Sequence, residues 1–201
     1  CFKQEITAVN VPQKKGDPLI VDHDEGIKPN TTVAGLAALK PVFKKDGAIT
    51  AGNASTINDG AAAMVLMSAD KAGELGIKPL ARIKAYAAAG CDPQIMGIGP
   101  VPATQRLLQK TGMALADFDL IELNEAFAAQ ALAVLREWKS SGSNVNVQGG
   151  AIALGHPTGA TGSILIVKLL HMMKRRNARN GLVTLCIGGG QGMAIALENI
   201  N

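Results

Sequence analysis

An α/β fold is what this chain of 201 residues predicts, on three observations. Short apolar runs of strand length alternate with longer segments of helical period, the pattern of a sheet covered by helices. Glycine and proline fall between those segments, where they end helices and turn the chain. A composition of 47% hydrophobic and 18% charged residues gives enough apolar surface to form a core without disulfides or metal.

Residues 1–58 are the least regular part, with Pro12, Pro18, Pro29 and Pro41 among scattered charges. Residues 3–11 (KQEITAVNV) read as a strand. Thr31 or Thr32 caps a short helix running to Leu39, because a threonine oxygen accepts the free N–H groups of a first turn. Pro41 limits that helix. Residues 47–55 (GAITAGNAS) read as a strand entering a loop of small residues. The texture changes at Asp59. Residues 61–67 (AAAMVLM) are an apolar run of strand type, and Ser68 or Ala69 opens a helix that ends near Gly76. Residues 81–89 predict a strand and residues 102–111 a helix, followed by a turn at Gly112 and Met113 and a helical turn at Ala116 and Asp117. Residues 119–123 (DLIEL) predict a short strand. Residues 125–139 predict a strong helix, with Phe127, Ala131, Leu132 and Leu135 at helical spacing and Gly142 as its stop. A glycine-dense loop over 149–162 leads into a helix over 163–174, whose basic last turn complements the helix dipole. Strands over 182–187 and 193–197, separated only by glycines, predict an adjacent antiparallel pair.

Several function classes are excluded early. Aromatic residues make up 3% of the chain, too few for stacking platforms on single-stranded nucleic acid. The net charge of +4 suits an anionic small molecule and does not imply DNA or RNA. Cys1, Cys91 and Cys186 are widely spaced and form no CxxC pattern, so no metal site is expected and a reducing, cytoplasmic compartment fits best. No apolar run reaches the roughly 18 residues of a membrane span, and no signal peptide is visible. The chain begins with Cys1 rather than Met, so its true start is expected upstream.

Three sites stand out on chemistry. Asn124 lies in NEAF, at a strand-to-helix junction. It reads either as a helix cap or as an amide that holds a water or polarises a carbonyl. His156 lies in GGAIALGHPTGATG, followed by Pro157, which stiffens the loop. An imidazole so held before a helix suits proton transfer; the other reading is a flexible or phosphate-type turn. The spacing matches neither a Walker A loop nor GxGxxG after a strand, so a nucleotide-binding domain rests on glycine content alone. Cys186 lies in CIGGG at the end of an apolar strand. It reads either as a small buried hydrophobe or as a thiol acid/base beside backbone N–H groups that a ligand can approach. His23, among Asp22, Asp24 and Glu25, reads as a solvated turn. His171 reads as structural, Cys91 as a loop residue, and the cluster of Lys174, Arg175, Arg176 and Arg179 as a solvated helix end.

NEAF, GHPTGATG and CIGGG occur in the order found in thiolases. GNAS at 52–55, NDGAAA at 58–63 and MGIGP at 96–100 match that family as well, and the resemblance covers essentially the whole chain. The stretch 96–135 resembles acetyl-CoA acetyltransferases and 3-ketoacyl-CoA thiolases. The resemblance implies a layered αβαβα fold of two similar halves plus a loop domain that binds coenzyme A. On this mapping, residues 1–58 are the tail of the loop domain, 59–79 the last strand and helix of the first half, and 80–201 the second half. It implies reversible Claisen condensation, or thiolysis, through an acyl-cysteine, in fatty acid metabolism.

The resemblance also implies roles. His156 activates the nucleophilic cysteine and binds the thioester oxygen. Cys186 moves a proton on the α-carbon or on the departing coenzyme A thiol. Asn124 holds a water that forms one oxyanion hole with His156, and the Gly188 N–H contributes to a second. Ser55, Ala51 and Phe43 contact the pantetheine arm, while Met96, Ala126 and Phe127 line the acyl end. Coenzyme A and acyl-CoA enter as substrates, with no permanently bound cofactor. Partners implied are the missing first half, on the same or a second chain, and further copies in a dimer or tetramer, with no nucleic acid and no membrane.

The large departure is an absence. The nucleophilic cysteine of the family sits on a strand-to-helix turn of the first half, and neither Cys1 nor Cys91 has that context. The first part of the loop domain and the usual dimer-forming strand are also missing. Thr56 stands where glycine is common and Lys28 where arginine is common, both confined to the coenzyme-binding region. The chain therefore reads as the C-terminal half of a thiolase, a fragment or one of two polypeptides, inactive alone. The other reading is a non-catalytic acyl-CoA-binding or scaffolding subunit. In either case the run 61–67 is expected to present an unpaired apolar strand edge.

Overall fold

The computed structural model describes residues 2–200. Cys1, and with it the expectation about its context, lies outside the described residues.

The first part of the chain holds few regular elements. Phe2–Gln4 is a 3-10 turn, and the strand expected over 3–11 reduces to β1 (Val9–Val11), paired antiparallel with β2 (Leu19–Val21). Helix α1 (Val33–Ala37) starts as the sequence implies: Thr32 caps it, its hydroxyl accepting from the Gly35 N–H at 3.0 Å. Residues 47–55 form no strand. The Asn53 side chain accepts from Thr50 N and donates to Ala48 O, each at 2.8 Å, and folds the segment into a tight turn. Such side-chain bonds compete directly with a strand ladder.

Residues 61–67 also form no strand, which corrects the expectation of an unpaired edge. Among the described residues no strand pairs with this run, and Val65 is 85% exposed. Apolar strand propensity needs a neighbouring strand before it becomes a strand. Helix α2 (Ala69–Glu74) follows, capped by Ser68.

The rest of the chain is built on β3 (Ala81–Gly90), α3 (Pro100–Thr111), β4 (Leu120–Leu123), α4 (Ala128–Glu137), α5 (Ala151–Leu154), α6 (Thr161–Arg176), β5 (Asn180–Ile187) and β6 (Gln191–Asn199). The four strands form one sheet in the order β3-β6-β5-β4. β5 and β6 are the expected antiparallel pair, β3 joins the far side of β6, and β4 runs parallel to β5. Val145 adds one parallel bridge to Ile121 outside β4.

Helices cover both faces. Along a strand, alternate side chains point to opposite faces. On β4 and β5, Ile121 and Leu182 pack with Ala103 and Leu107 of α3 and with Phe118. Leu120 and Val183 face the other way, onto Leu165, Leu169, Met172 and Met173 of α6. This gives an α/β/α sandwich, three of the five layers that the resemblance implies. All four residues of β4 are buried, so Glu122, on the α6 face, is a carboxylic acid in an apolar wall.

One contact in this sandwich leaves no room for a side chain. Helix α3 opens at Gly99 and Pro100, and Gly99 lies against β6 so closely that a Cβ on Gly192 would sit 2.0 Å from the Gly99 carbonyl oxygen. Both neighbours of β6 hold it by ladder bonds, so the strand cannot retreat. We expect Gly192→Ala in the full-length protein to lower stability by about 3 kcal/mol, the upper range for overpacking. Gly73→Ala, in the interior of α2 with open space around it, is expected to stabilise by about 0.5–1 kcal/mol. Urea unfolding midpoints check both.

Candidate active site

The segment after β4 does not become helix at once. Asn124 continues the ladder, its N–H donating to Thr184 O at 3.0 Å, and Phe127, not Asn124, is the N-cap of α4. The helix-cap reading of Asn124 and the helix start at Glu125 are therefore corrected. The cause is tertiary. Residues 53–55 run alongside: Ser55 N donates to Ala126 O at 3.0 Å, Ala128 N donates to Asn53 O at 2.8 Å, and Ala54 bridges Phe127. These bonds hold 124–127 extended against a local preference for helix.

Held so, Asn124 is buried and meets His156, with Nδ2 3.4 Å from Nε2. Its Oδ1 is buried without a hydrogen-bond partner among the described residues. The His156 ring is fixed from its other nitrogen. Nδ1 lies 2.7 Å from Thr161 Oγ1, and the Thr161 hydroxyl donates to Pro157 O at 2.9 Å. Thr161 has one proton and spends it on that carbonyl, so Nδ1–H donates to Thr161 and Nε2 carries the lone pair. Burial pushes the His156 pKa down from its ordinary 6.5, which keeps the ring neutral and able to take a proton at Nε2.

The loop that carries His156 is pinned from below. Its N–H donates to Thr56 O at 3.0 Å and to Asn58 Oδ1 at 3.2 Å, and Ile57 bridges His156. Gly155, at φ +93°, leaves no room for a Cβ beside the Asn58 amide. Glu125 pins the start of the loop: Oε1 accepts from Asn146 Nδ2 at 3.0 Å and Oε2 from Ile152 N at 3.3 Å. Asn146 in turn brackets Leu123, accepting from its N–H at 2.9 Å and donating to its carbonyl at 2.8 Å.

A buried ion pair lies beneath. Lys168 of α6 reaches Glu122 Oε2 at 2.9 Å and also donates to the Gly149 carbonyl. Glu122 is fully buried and Lys168 is 8% exposed. Burial pushes the Glu122 pKa up to about 7; the Lys168 ammonium pulls it down, and Glu125 and Glu5 add to the rise.

Cys186 reaches the same end of the sheet from β5. It is half-buried on that strand, two residues beyond the Thr184 that pairs with Leu123. Asn124 and Cys186 therefore leave adjacent parallel strands at their carboxyl ends, the edge at which α/β sheets place their chemistry. The first turn of α6 lies there too, with Leu185 beside Gly162. Burial raises the Cys186 pKa above its ordinary 9.0, and neighbouring Cys91 adds to the rise. Nearby glycine N–H groups thus do not make a resting thiolate: the group rests as a protonated thiol. Gly188 is exposed in the turn after β5.

The remaining expected residues surround this edge unevenly. Ser55 donates its hydroxyl to Ala126 O at 3.0 Å, which leaves its oxygen lone pairs as acceptors. Ala126 is buried, and Phe127 packs edge-on against Phe43 with centroids 6.1 Å apart. Phe43 itself is 72% exposed and Ala51 is exposed. Met96, half-buried in the turn Pro93–Ile98, accepts from the Cys91 thiol through its carbonyl at 3.8 Å. His23 sits exposed on Asp22 as expected, and His171 is exposed on α6.

Asn58, Glu125, Thr161 and the Glu122–Lys168 pair escaped the sequence reading. The first three lie inside motifs already singled out. The pair had its own sign, one charge in each of two apolar runs, LIEL and ILIVKLL, where an unpartnered charge is costly.

Family models decide the matter: the thiolase C-terminal domain matches residues 77–199 and the thiolase N-terminal domain matches residues 1–70. The chain belongs to the thiolase family. It is 61% identical over 197 residues to an acetyl-CoA acetyltransferase of Chromobacterium violaceum, covering 98% of this chain and 50% of that one. A Pseudomonas aeruginosa acetyl-CoA acetyltransferase is 62% identical over 196 residues, with the same coverage. Among solved structures, the Bacillus anthracis acetyl-CoA acetyltransferase superposes with a TM-score of 0.94 at 47% identity, over 99% of this chain and 50% of that one. Human mitochondrial 3-ketoacyl-CoA thiolase superposes at 0.88 with 46% identity, over 96% and 48%. This thiolase chain thus spans about half the length of the curated relatives it matches. Among the described residues no helix is long and apolar enough to cross a membrane, and no cluster of side chains has the makings of a metal site.

Proposed function

We propose that this chain supplies the histidine, asparagine and acid/base cysteine of an acyl-CoA thiolase, an acetyl-CoA acetyltransferase or 3-ketoacyl-CoA thiolase. The nucleophilic cysteine comes from sequence beyond these 201 residues. The observation that carries the reading is the Asn124–His156 contact at 3.4 Å, with the His156 tautomer set by Thr161. A neutral imidazole with its lone pair on Nε2 accepts the proton of an approaching thiol. It then presents Nε2–H as a donor beside a water held by the Asn124 amide, so two donors converge where an oxyanion develops. Cys186, protonated at neutral pH, gives its proton to the carbanion released by C–C cleavage and recovers one from the coenzyme A thiol that takes the acyl group.

In the same proposal, Ser55 accepts a hydrogen bond from an amide of the pantetheine arm. The Phe43–Phe127 pair and Ala51 flank that arm, Ala126 and Met96 close the acyl end, and Gly188 N–H serves the second oxyanion. Residues 1–58 belong to the coenzyme-binding loop domain, residues 59–79 close the first half and residues 80–201 form the second, in a cytoplasmic homo-oligomer. The experiment is thiolysis of acetoacetyl-CoA by this chain alone, and with the half that carries the nucleophile, supplied in cis or in trans. No turnover alone and turnover when completed are expected. Turnover by the chain alone overturns the division of labour, and acyl-CoA binding without turnover in the completed protein favours a binding subunit.

A further inference from the structure

We propose that Lys168 is a positioning residue for the proposed thiolase site: its ammonium, shared between Glu122 and the Gly149 carbonyl, sets the spacing of Asn124 and His156. The inference rests on the reading of that pair as the reacting groups. Lys168 acts through them and touches neither.

The geometry carries the argument. Glu122 stands two residues before Asn124 on β4, and its carboxylate accepts from Lys168 Nζ at 2.9 Å. The same Nζ donates to the Gly149 carbonyl. Gly149, at φ +81°, is where the chain turns from the Asn146 bracket into α5 and the His156 loop. One ammonium therefore joins the strand carrying Asn124 to the entrance of the loop carrying His156. It projects from α6, whose first residue, Thr161, orients the His156 ring. Strand, loop and helix meet at a single buried atom.

Stability alone gives little reason for such a pair. Two apolar residues of similar volume commonly serve a core as well as or better than a buried ion pair, because desolvating both charges offsets their attraction. Here the ammonium also satisfies a backbone carbonyl, which an apolar pair cannot do. Glu122 Oε1 has no hydrogen-bond partner among the described residues, so the second carboxylate oxygen adds nothing to the link. What the arrangement provides is a fixed distance, and small displacements of reacting groups weigh heavily on rate.

The test uses the full-length protein with acetoacetyl-CoA as substrate. Lys168→Met is expected to lower kcat by about 10- to 100-fold with KM unchanged, since substrate contacts stay intact while the reacting groups lose alignment. The double variant Lys168→Met/Glu122→Met is expected to restore the thermal midpoint but not kcat, because the Gly149 carbonyl still lacks its donor. It also carries the test if the single variant does not fold. Parental kcat in Lys168→Met, or recovery of both midpoint and kcat in the double variant, overturns the proposal and leaves the pair a packing element. Asn124→Ala and His156→Ala serve as references. If they keep parental activity, the reading of the pair fails by itself. The 15N resonances of His156, assigned by their loss in His156→Ala, then decide the positioning claim. A shifted Nε2 resonance in Lys168→Met upholds it, and an unmoved one overturns it.

Discussion

His156→Ala in the full-length thiolase is expected to lower kcat for thiolysis by about 10²–10⁴-fold, the range for removing a placed proton-transfer group. That loss corresponds to about 3–5 kcal/mol of transition-state stabilisation. It is expected in kcat and kcat/KM alike, because the ring is read as contacting reacting atoms rather than the body of acyl-CoA. On the proposed role, the variant removes the base at Nε2 and a donor of the oxyanion hole together. Folding is expected to survive, since the loop is also held by the His156 backbone N–H, which donates to Thr56 O and to the Asn58 side-chain Oδ1. The pH profile gives a further reading. Burial lowers the His156 pKa, so the neutral, working form persists below pH 6.5 and the acid limb of kcat/KM falls at a lower pH than a free imidazole gives. Protonation also disfavours the folded state. A folded pKa below the unfolded value contributes stability that is present above pH 6.5 and lost as pH falls through the folded value. Steady-state kinetics across pH, with midpoints measured in parallel, separates the two. Near-parental kcat in the alanine variant defeats the role.

Cys186→Ala is the second large effect, again about 10²–10⁴-fold in kcat. On the proposed role it removes a proton donor, and it is expected to leave the fold nearly untouched, because the side chain is small and only half-buried on β5. Burial raises the Cys186 pKa above 9.0, so the thiol stays protonated through neutral pH. The activity that needs its proton is expected to decline only in the alkaline range. Cys186→Ser keeps the shape with a much weaker acid, so it is expected to resemble the alanine variant rather than the parent. Rapid-quench kinetics checks the assignment: acyl-enzyme formation slows if Cys186 protonates the leaving carbanion. An unchanged single-turnover rate in both variants assigns Cys186 to packing.

The two residues show how unevenly a site is written into a chain. GHPTGATG and CIGGG announce themselves because a stiffened histidine loop and a glycine-flanked thiol are rare local patterns. NEAF was legible as a junction but misleading as a structure: its composition favours helix, and the hydrogen bonds from 53–55 that keep it extended come from residues some seventy positions away. Helix α1 succeeded for the opposite reason, since Thr32 capping Gly35 N is a contact within one turn.

The sequence by itself determined the α/β alternation, the antiparallel pair of β5 and β6, a threonine cap at 31 or 32, a helix start at 68 or 69, and the three motifs, all of which depend on neighbours within a few residues. It could not determine whether the apolar run 61–67 becomes a strand, because a strand exists only with a partner to share its ladder. Nor could it pair Glu122 with Lys168, forty-six positions apart, or decide which nitrogen of His156 is free. Those are properties of distance in space. A buried charge finds its counterion, and a histidine its tautomer, only once the sheet has set strand, loop and helix against one another.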